Sequence, residues 1–249
     1  TLIYNGSNPE TIVPLIDFRG STKDKWFYGA IKNITIGGIG STSNVVGLWF
    51  YHCTGALFEN VYISNMRHGI QIDGNYYYAV FNKVACLCCG YGVRATSIGN
   101  KASFNYCTFN GCDIGFAGNM KGVIQYYDHG IQLNDCYLEA NRIAIDYRAS
   151  MGSLCIDKCY FEGNIEHVLH LKNDPTPLGR GLVILENSFI THREGHAVIK
   201  QDTSSDCTVS YVINNNVIPG TTLDNDYFIY IVNGDANIEA RNNVLFWRN

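Results

Sequence analysis

The sequence predicts an all-β repeat protein, a solenoid of short strands, on three observations. Residues 58–72, FENVYISNMRHGIQI, join an alternating strand through a polar bend to a second strand that begins with glycine, and versions of this stretch recur along the chain. Apolar and polar residues alternate within the repeats at the strand period of two. The 249 residues include 25 Gly but only 5 Pro and 3 Met, a composition that favours strands punctuated by turns.

The repeats align on one column of mostly polar residues, which we call the bend column. Its members lie 23 to 29 residues apart and are Asn33, Asn60, Lys83, Tyr106, Asp135, Lys158, Asn187, Asn215 and Asn242. Positions one and three after each member are expected to face inward and position two to face outward. The column predicts a single coil of about nine or ten stacked rungs.

The elements follow in order along the chain. Residues 30–56 hold the first complete repeat, residues 57–79 and 80–102 are compact rungs, and 103–130 form a rung lengthened by KGVIQYYDHG. Further insertions are at 173–181, 202–207 and 219–226. Insertions in repeat proteins collect on one face and often carry function.

Composition and charge restrict the class of protein. With 46% apolar residues the chain can bury one long core, so residues 1–249 are expected to form one domain. A net charge of −4 without a basic run argues against a nucleic-acid partner, and membrane insertion is not expected because the chain has no long apolar run. The chain starts in mid-pattern and ends within a rung, so we expect a fragment of a longer chain or ends covered by partners.

The ten cysteines predict packing and not metal chemistry. Cys107, Cys136 and Cys159 directly follow the bend column and are expected to be buried, reduced core residues. Disulfides stay open as an alternative, because stacked strands lie about 4.8 Å apart. The run CLCC at 86–89 has no second pair at zinc spacing, so neither metal nor cofactor is predicted. So many thiols indicate synthesis in a reducing cytoplasm.

The rungs resemble a known family. Repeats of 23 to 29 residues with a turn Asn, stacked aliphatic residues and the strands 69–72 (GIQI), 92–95 (GVRA) and 115–118 (GFAG) resemble the right-handed parallel β-helix of the pectate-lyase-like superfamily. The opening TLIYNG and the stretch AIKNITIGGIG to GIQI are similar to the bacteriophage tailspike and capsule-depolymerase branch. The resemblance covers nearly the whole chain.

The resemblance implies a function and an assembly. Tailspikes of this kind are homotrimers on the virion tail, act outside the cell, and cleave a bacterial surface polysaccharide with carboxylates on one subunit or between subunits. Pectin chemistry is not supported, because the chain lacks the W-x-D-H and R-x-P-x-x-R elements of pectate lyases and the complete motifs of polygalacturonases. Its nearest approaches are Asp128-His129 and Gly195-His196-Ala197.

Outward aromatic residues are the first candidate site. Position two after the bend column includes Tyr62, Tyr137 and Tyr160, whose rings suit the faces of sugar rings. The alternative is that they cover the sheet against a neighbouring subunit of a trimer.

Glu139 and Glu162 are the predicted catalytic pair. Both stand four residues after the bend column, and the 23-residue step between their rungs has no insertion, so the two carboxylates are expected to be neighbours on the outward face. Two such carboxylates match the needs of a glycosidase. Asp146, expected to face outward on the same rung as Glu139, is the third catalytic candidate. The alternative for these residues is an ordinary solvated face.

Three further residues are candidates for substrate binding. Arg94 shares the outward column of Asp146 and is a candidate for binding an acidic sugar. Asp128 and His129 lie in the inserted loop beside two tyrosines, where they could form the lip of a groove or merely an Asx turn. His167 and His170 are interpreted as packing or edge residues.

These features leave three functions open. The first is a depolymerase that hydrolyses a bacterial surface glycan with paired carboxylates. The second is a non-catalytic adhesin or structural virion module with the same fold. The third is a polysaccharide lyase, which needs a base and a group that neutralises a uronic acid, for which Arg94 and His129 are the hints.

Overall fold

A computed structural model describes residues 1–19, 26–96, 99–118, 130–148, 153–172, 180–192, 196–203, 207–219 and 228–246. Within these ranges every regular element is a strand, and no helix is present that could cross a membrane. The strands are β1 (Leu2–Ile3), β2 (Val13–Asp17), β3 (Trp26–Phe27), β4 (Ala30–Gly37), β5 (Val45–Phe50), β6 (His52–Thr54), β7 (Leu57–Ser64), β8 (His68–Ile72), β9 (Tyr76–Tyr77), β10 (Val80–Leu87), β11 (Tyr91–Ala95), β12 (Gly99–Asn100), β13 (Ala102–Asn105), β14 (Thr108–Asn110), β15 (Ile114–Gly118), β16 (Ile131–Asn134), β17 (Tyr137–Glu139), β18 (Ile143–Arg148), β19 (Ser153–Asp157), β20 (Tyr160–Asn164), β21 (His167–Lys172), β22 (Arg180–Glu186), β23 (Phe189–His192), β24 (Ile199–Asp202), β25 (Thr208–Asn214), β26 (Val217–Pro219), β27 (Ile229–Asn233), β28 (Asp235–Arg241) and β29 (Val244–Phe246).

The described strands form three parallel sheets in which each repeat stacks on the one before it. One sheet has nine strands in the order β2-β5-β8-β11-β15-β18-β21-β24-β27. A 16-stranded sheet contains β1, β4, β7 and β10 and two strands from each later repeat, namely β13 and β14, β16 and β17, β19 and β20, β22 and β23, β25 and β26, and β28 and β29. A four-stranded sheet has the order β12-β9-β6-β3. The all-β parallel solenoid is therefore confirmed, whereas the count of nine or ten rungs stays a prediction.

The bend column explains the shape of the 16-stranded sheet. All nine members have positive φ values, between 51° and 55°. This left-handed region is open to few residue types, and Asn enters it more readily than most. The bend falls inside the long strands β4, β7 and β10, and in later repeats it separates two short strands, such as β16 and β17. Each rung therefore turns at a position that the sequence identified.

Ladders of inward side chains fill the core. The predicted stack, three residues after the bend column, is buried and continuous in register over Ile36, Ile63, Cys86, Phe109, Leu138, Phe161 and Ile190. Beside it, the ring of Phe81 stacks on Phe58 with 4.5 Å between centroids and on Phe104 with 4.3 Å. Burial of such ladders stabilises the stack by the hydrophobic effect and by close packing.

The residue directly after each bend also faces the core. Cys107, Cys136 and Cys159 are buried and form no disulfide, as predicted. The Cys136 thiol lies 3.3 Å from the carbonyl oxygen of Phe104, in the preceding rung. In later rungs this position becomes Ser188, Asn216 and Asn243, and the Asn216 amide donates to the equivalent carbonyl of Leu185 at 2.9 Å. Thiols and amides at this position thus both contact a backbone carbonyl of the preceding rung.

A second bend, which the sequence analysis did not identify, carries a similar ladder. Its positive-φ residues are Asn65, Cys88, Gly111, Ala140 and Gly163. Each is followed by a buried residue, and these include Cys89, Cys112, Asn141 and Asn164. The Asn141 Oδ1 accepts the backbone N–H of Cys112 at 3.0 Å, and its amide donates to the Phe109 carbonyl at 2.9 Å. Buried Asn side chains thus satisfy backbone groups that the turn leaves unpaired.

Candidate functional site

Register brings the two predicted catalytic glutamates together. Strands β17 and β20 are adjacent and parallel, with Tyr137 opposite Tyr160 and Glu139 opposite Glu162. Glu162 is exposed and Glu139 is half-buried. Register partners in adjacent strands have backbones about 4.8 Å apart, so flexible glutamate side chains can set their carboxyl groups at either glycosidase separation.

Aromatic rings continue this face over three rungs. The rings of Tyr137 and Tyr160 lie 5.7 Å apart between centroids, and Tyr160 stacks on Phe189 at 5.1 Å with 7° between ring planes. We call Tyr137, Tyr160 and Phe189 the aromatic platform. It lies in a groove of about 340 Å³ that is also lined by Tyr106, Asp135, Lys158, Cys159 and Asn187.

Neutral donors hold both carboxylates of the pair. The Tyr160 hydroxyl donates to Glu162 Oε2 at 2.7 Å, and this hydrogen bond raises the pKa of Tyr160. The Asn110 amide donates to Glu139 Oε2 at 3.1 Å. These bonds orient two carboxylates beside the platform, where one can protonate a leaving glycosidic oxygen while the other attacks the sugar or activates water.

Asp146 lies on the predicted strand of the rung of Glu139, but its carboxylate does not reach solvent. It alternates outward between Ile145 and Tyr147, but it is fully buried and lies on β18 of the nine-stranded sheet, not on the face of Glu139. Its Oδ2 is 2.5 Å from Lys172 Nζ. Burial raises the pKa of Asp146, and the hydrogen bond from Lys172 opposes that shift. The outward position predicted for Asp146 therefore does not expose its carboxylate, because an outward position in this sheet need not reach solvent.

One histidine, His170, lies beside Asp146 and was not predicted as a site residue. His170 Nδ1 is 3.6 Å from Asp146 Oδ1, and His170 pairs in register with Asp146. Burial, with the charge of Lys172, lowers the pKa of His170 to about 4. The rings of His167 and His170 lie 5.7 Å apart. The sequence contained a signal for this contact, since Asp146 and His170 lie one uninterrupted rung apart, but both histidines had been interpreted as packing or edge residues.

The other predicted binding residues lie apart from the platform. Tyr62 is 40% exposed but is separated from Tyr137 by Ala85 and Thr108, so it stands about 14 Å away along the stack. Arg94 is on the nine-stranded sheet, with its guanidinium 5.9 Å from the ring centre of Tyr91. Asp128 and His129 lie outside the described residues.

A polar network on the nine-stranded sheet was also missed. The Trp49 indole donates to Asp73 Oδ2 at 2.6 Å, and the Gln71 amide donates to Asp73 Oδ1 at 2.8 Å. The Gln71 carbonyl oxygen in turn lies 2.5 Å from His68 Nδ1. Burial lowers the pKa of His68 to about 4, so this imidazole is neutral at pH 7. Both Asp73 oxygens are hydrogen-bonded, so the network connects strand β5, through Trp49, to strand β8, through Gln71.

Comparison with protein-family models, with curated proteins and with solved structures found no match. Among the described residues, no group of three or more His, Cys, Asp or Glu is arranged to hold a metal ion. The fold and site define a class: a parallel β-solenoid protein with an exposed aromatic face. This fold is compatible with polysaccharide-binding proteins and with depolymerases, including those of the pectate-lyase-like kind.

Proposed function

We propose that the protein binds a bacterial surface polysaccharide along the aromatic platform and hydrolyses it with Glu139 and Glu162. The observation that carries the proposal is the register of β17 and β20, which sets two glutamates side by side two residues from two adjacent tyrosines. Aromatic rings present apolar faces with polar edges, which suit sugar rings. The open groove gives an extended chain room to lie across several rungs.

The reaction follows from the two carboxylates. One carboxylic acid protonates the leaving oxygen, and the ionised partner attacks the anomeric carbon or activates a water on the opposite face. The hydrogen bonds from Asn110 and Tyr160 fix the two side chains before the substrate arrives, which lowers the entropic cost of reaching the reactive geometry. Asp146 takes no part in this reaction, because it is buried on another sheet.

The resemblance to tailspikes supports a proposal for the assembly and the location of the protein. It implies a homotrimer on a virion tail that acts on the bacterial surface after synthesis in a reducing cytoplasm. In such an assembly the exposed Tyr62 lies in a subunit interface or extends the glycan site. Light scattering on the full-length parent chain is expected to give a trimer mass, and a monomer would count against this part.

A non-catalytic glycan-binding module is the second candidate. It is favoured by one observation, namely that Glu139 and Glu162 each accept a hydrogen bond from a neighbouring side chain, as carboxylates with a structural role do. A lyase finds less support, because Arg94, one of the two residues that suggested it, lies on the nine-stranded sheet, apart from the platform.

Cleavage assays on matched variants test the proposal. Glu139→Gln and Glu162→Gln are expected to lower the release of reducing ends from bacterial surface polysaccharides about 10²–10⁴-fold at unchanged melting temperature. Glu59→Gln, three repeats before Glu139, is the control and should retain full activity. Full activity in both site variants would refute the catalytic pair.

Product analysis and a binding variant separate the alternatives. Tyr160→Ala should weaken glycan binding in every version of the proposal, since it removes the central ring of the platform. Glycan binding without any cleavage would establish the non-catalytic module. Products that absorb as unsaturated uronates would establish a lyase.

A further inference from the structure

The chain contains three Asn-Gly pairs, at residues 5–6, 110–111 and 233–234. In such a pair the backbone nitrogen of glycine can attack the side-chain amide of the preceding asparagine with little hindrance, because glycine has no Cβ. The first pair lies outside any strand, whereas the other two begin on the last residues of strands β14 and β27. These two pairs share a sequence and a place in the fold, so a difference in their reactivity reflects their surroundings.

The pair at 233–234 lies in the exposed junction between β27 and β28 with its reacting groups close together. The Gly234 N–H donates to the Asn233 side-chain oxygen, Oδ1, at 3.1 Å. One C=O bond of about 1.2 Å joins Oδ1 to Cγ, so the nitrogen lies at most about 4.3 Å from the carbon that it would attack. Reactive separations are about 3–3.5 Å, so a small rotation of the Asn233 side chain suffices.

The fold requires glycine at this position. Gly234 has a φ of +90°, and a Cβ added to it would collide with the Thr203 hydroxyl oxygen. A larger residue, which would protect Asn233 from attack, therefore does not fit. The reactive pair is a consequence of how β27 turns into β28.

The pair at 110–111 holds the same groups in hydrogen bonds to the next rung. The Gly111 N–H donates to the Glu139 backbone carbonyl at 3.0 Å, and the Asn110 amide donates to Glu139 Oε2 at 3.1 Å. Gly111 also has a positive φ, of 63°. Attack by the Gly111 nitrogen would break the first bond, and loss of the Asn110 amide would break the second, so this pair reacts only when the ladder opens locally.

We propose that Asn233 is a site of spontaneous deamidation. Hydroxide takes the proton of the Gly234 nitrogen, which bonds to Asn233 Cγ, and the side-chain amide leaves as ammonia with a proton from water. The resulting succinimide ring is opened by a second water at either of its carbonyl carbons. The products are ammonia and either aspartate or isoaspartate at position 233, and no oxidant or enzyme takes part.

The isoaspartate product disrupts a buried contact between rungs. In isoaspartate the main chain runs through Cβ and Cγ, and the former backbone carbonyl becomes a free carboxylate. In the fold, the Asn233 carbonyl oxygen accepts the Thr203 N–H at 3.4 Å, the Thr203 hydroxyl at 3.1 Å and the Gln201 amide at 3.5 Å. Gln201 and Thr203 are buried, and Asp202 between them faces Asn233 in register. Rerouting the main chain breaks these bonds and adds a negative charge beside Asp202, so the junction of β27 and β28 should loosen.

Peptide mapping by mass spectrometry tests the reaction on the whole chain, incubated at mildly alkaline pH with a reducing agent. Asn233 is expected to deamidate at least about 10-fold faster than Asn110, because Asn110 and Gly111 must first leave their hydrogen bonds. The rate at Asn233 should rise with pH, since the attacking nitrogen must lose a proton. Equal rates at the two positions, or an intact Asn233, would overturn the proposal.

Two variants test the structural consequence by hydrogen exchange at the Thr203 amide. Asn233→Gln keeps the amide but would have to close a larger ring, so incubation should leave its Thr203 protection unchanged. Asn233→Asp, measured before incubation, carries the new charge on an ordinary main chain and should also keep that protection. Incubated wild-type protein that contains isoaspartate should lose it.

Two results of the exchange experiment would contradict this account. The same loss of protection in fresh Asn233→Asp would assign the effect to charge and not to the rerouted main chain. The same loss in incubated Asn233→Gln would show that a reaction elsewhere loosens the junction.

Discussion

The ladder of buried side chains after the bend column predicts the cost of removing a single amide. Asn216 is fully buried, its Oδ1 accepts the Ser188 N–H at 2.9 Å, and its Nδ2 donates to the Leu185 carbonyl at 2.9 Å. Asn216→Ala leaves both backbone groups without these partners. Each unsatisfied buried group costs about 1–3 kcal/mol, so the variant should lose about 2–6 kcal/mol of unfolding free energy.

A thiol at the same position should restore part of this loss. Cys136 shows that a thiol after the bend reaches the carbonyl of the preceding rung, at 3.3 Å from Phe104 O. Asn216→Cys therefore keeps a contact with Leu185 O but does not replace the acceptor of the Ser188 N–H. The expected loss is about 1–3 kcal/mol, between those of the wild type and the Ala variant.

Urea unfolding under reducing conditions and native-state hydrogen exchange measure these losses. Exchange is the sharper assay, because solenoids can open repeat by repeat and the Ser188 amide reports the lost bond directly. Asn237→Ala, an exposed position on β28, is the matched control and should change stability by about 0.5 kcal/mol or less. A loss below about 1 kcal/mol for Asn216→Ala, with unchanged protection at Ser188, would refute the stabilising role of the ladder.

Three further measurements test the core and its pH dependence. Cys136→Ser should cost about 1 kcal/mol or less in urea unfolding, because its hydroxyl can donate to Phe104 O as the thiol does, and a loss above about 2 kcal/mol would contradict this. Phe81→Ala should cost about 3–5 kcal/mol, since the buried ring stacks on Phe58 and Phe104, whereas a cost near 1 kcal/mol would show that the stack collapses to fill the space. The pKa of His68 is about 4 in the fold against about 6.5 in the unfolded chain, so its contribution is complete above pH 6.5 and is lost as the pH falls toward 4. This loss should reach up to about 3 kcal/mol and should be smaller in His68→Gln, and equal pH slopes in the two proteins would contradict it.

The first bend could be predicted from the sequence because its signal is local. A strand period of two on both sides defines each member, five of the nine members are Asn, which tolerates positive φ, and all nine adopt that conformation. The second bend has a less regular signal, since Asn65, Gly111 and Gly163 are tolerant of positive φ but two other members are not. Cys88 and Ala140 are not typical of positive φ, and the buried amides Asn141 and Asn164 look like surface residues until their backbone partners in neighbouring rungs are known.

The candidate site was predictable where the repeat period alone fixes which residues face each other. Glu139 and Glu162 are one uninterrupted 23-residue step apart, so the period alone sets them in register. Asp146 lies on the same two rungs and faces His170 in register, but its ion pair is with Lys172, two positions further along β21, which the repeat period does not indicate. Alternation fixes the direction of a side chain relative to the core but not whether solvent reaches it. Asp146 therefore points outward and is still buried, whereas Tyr137, outward by the same rule, is 54% exposed and available to a ligand.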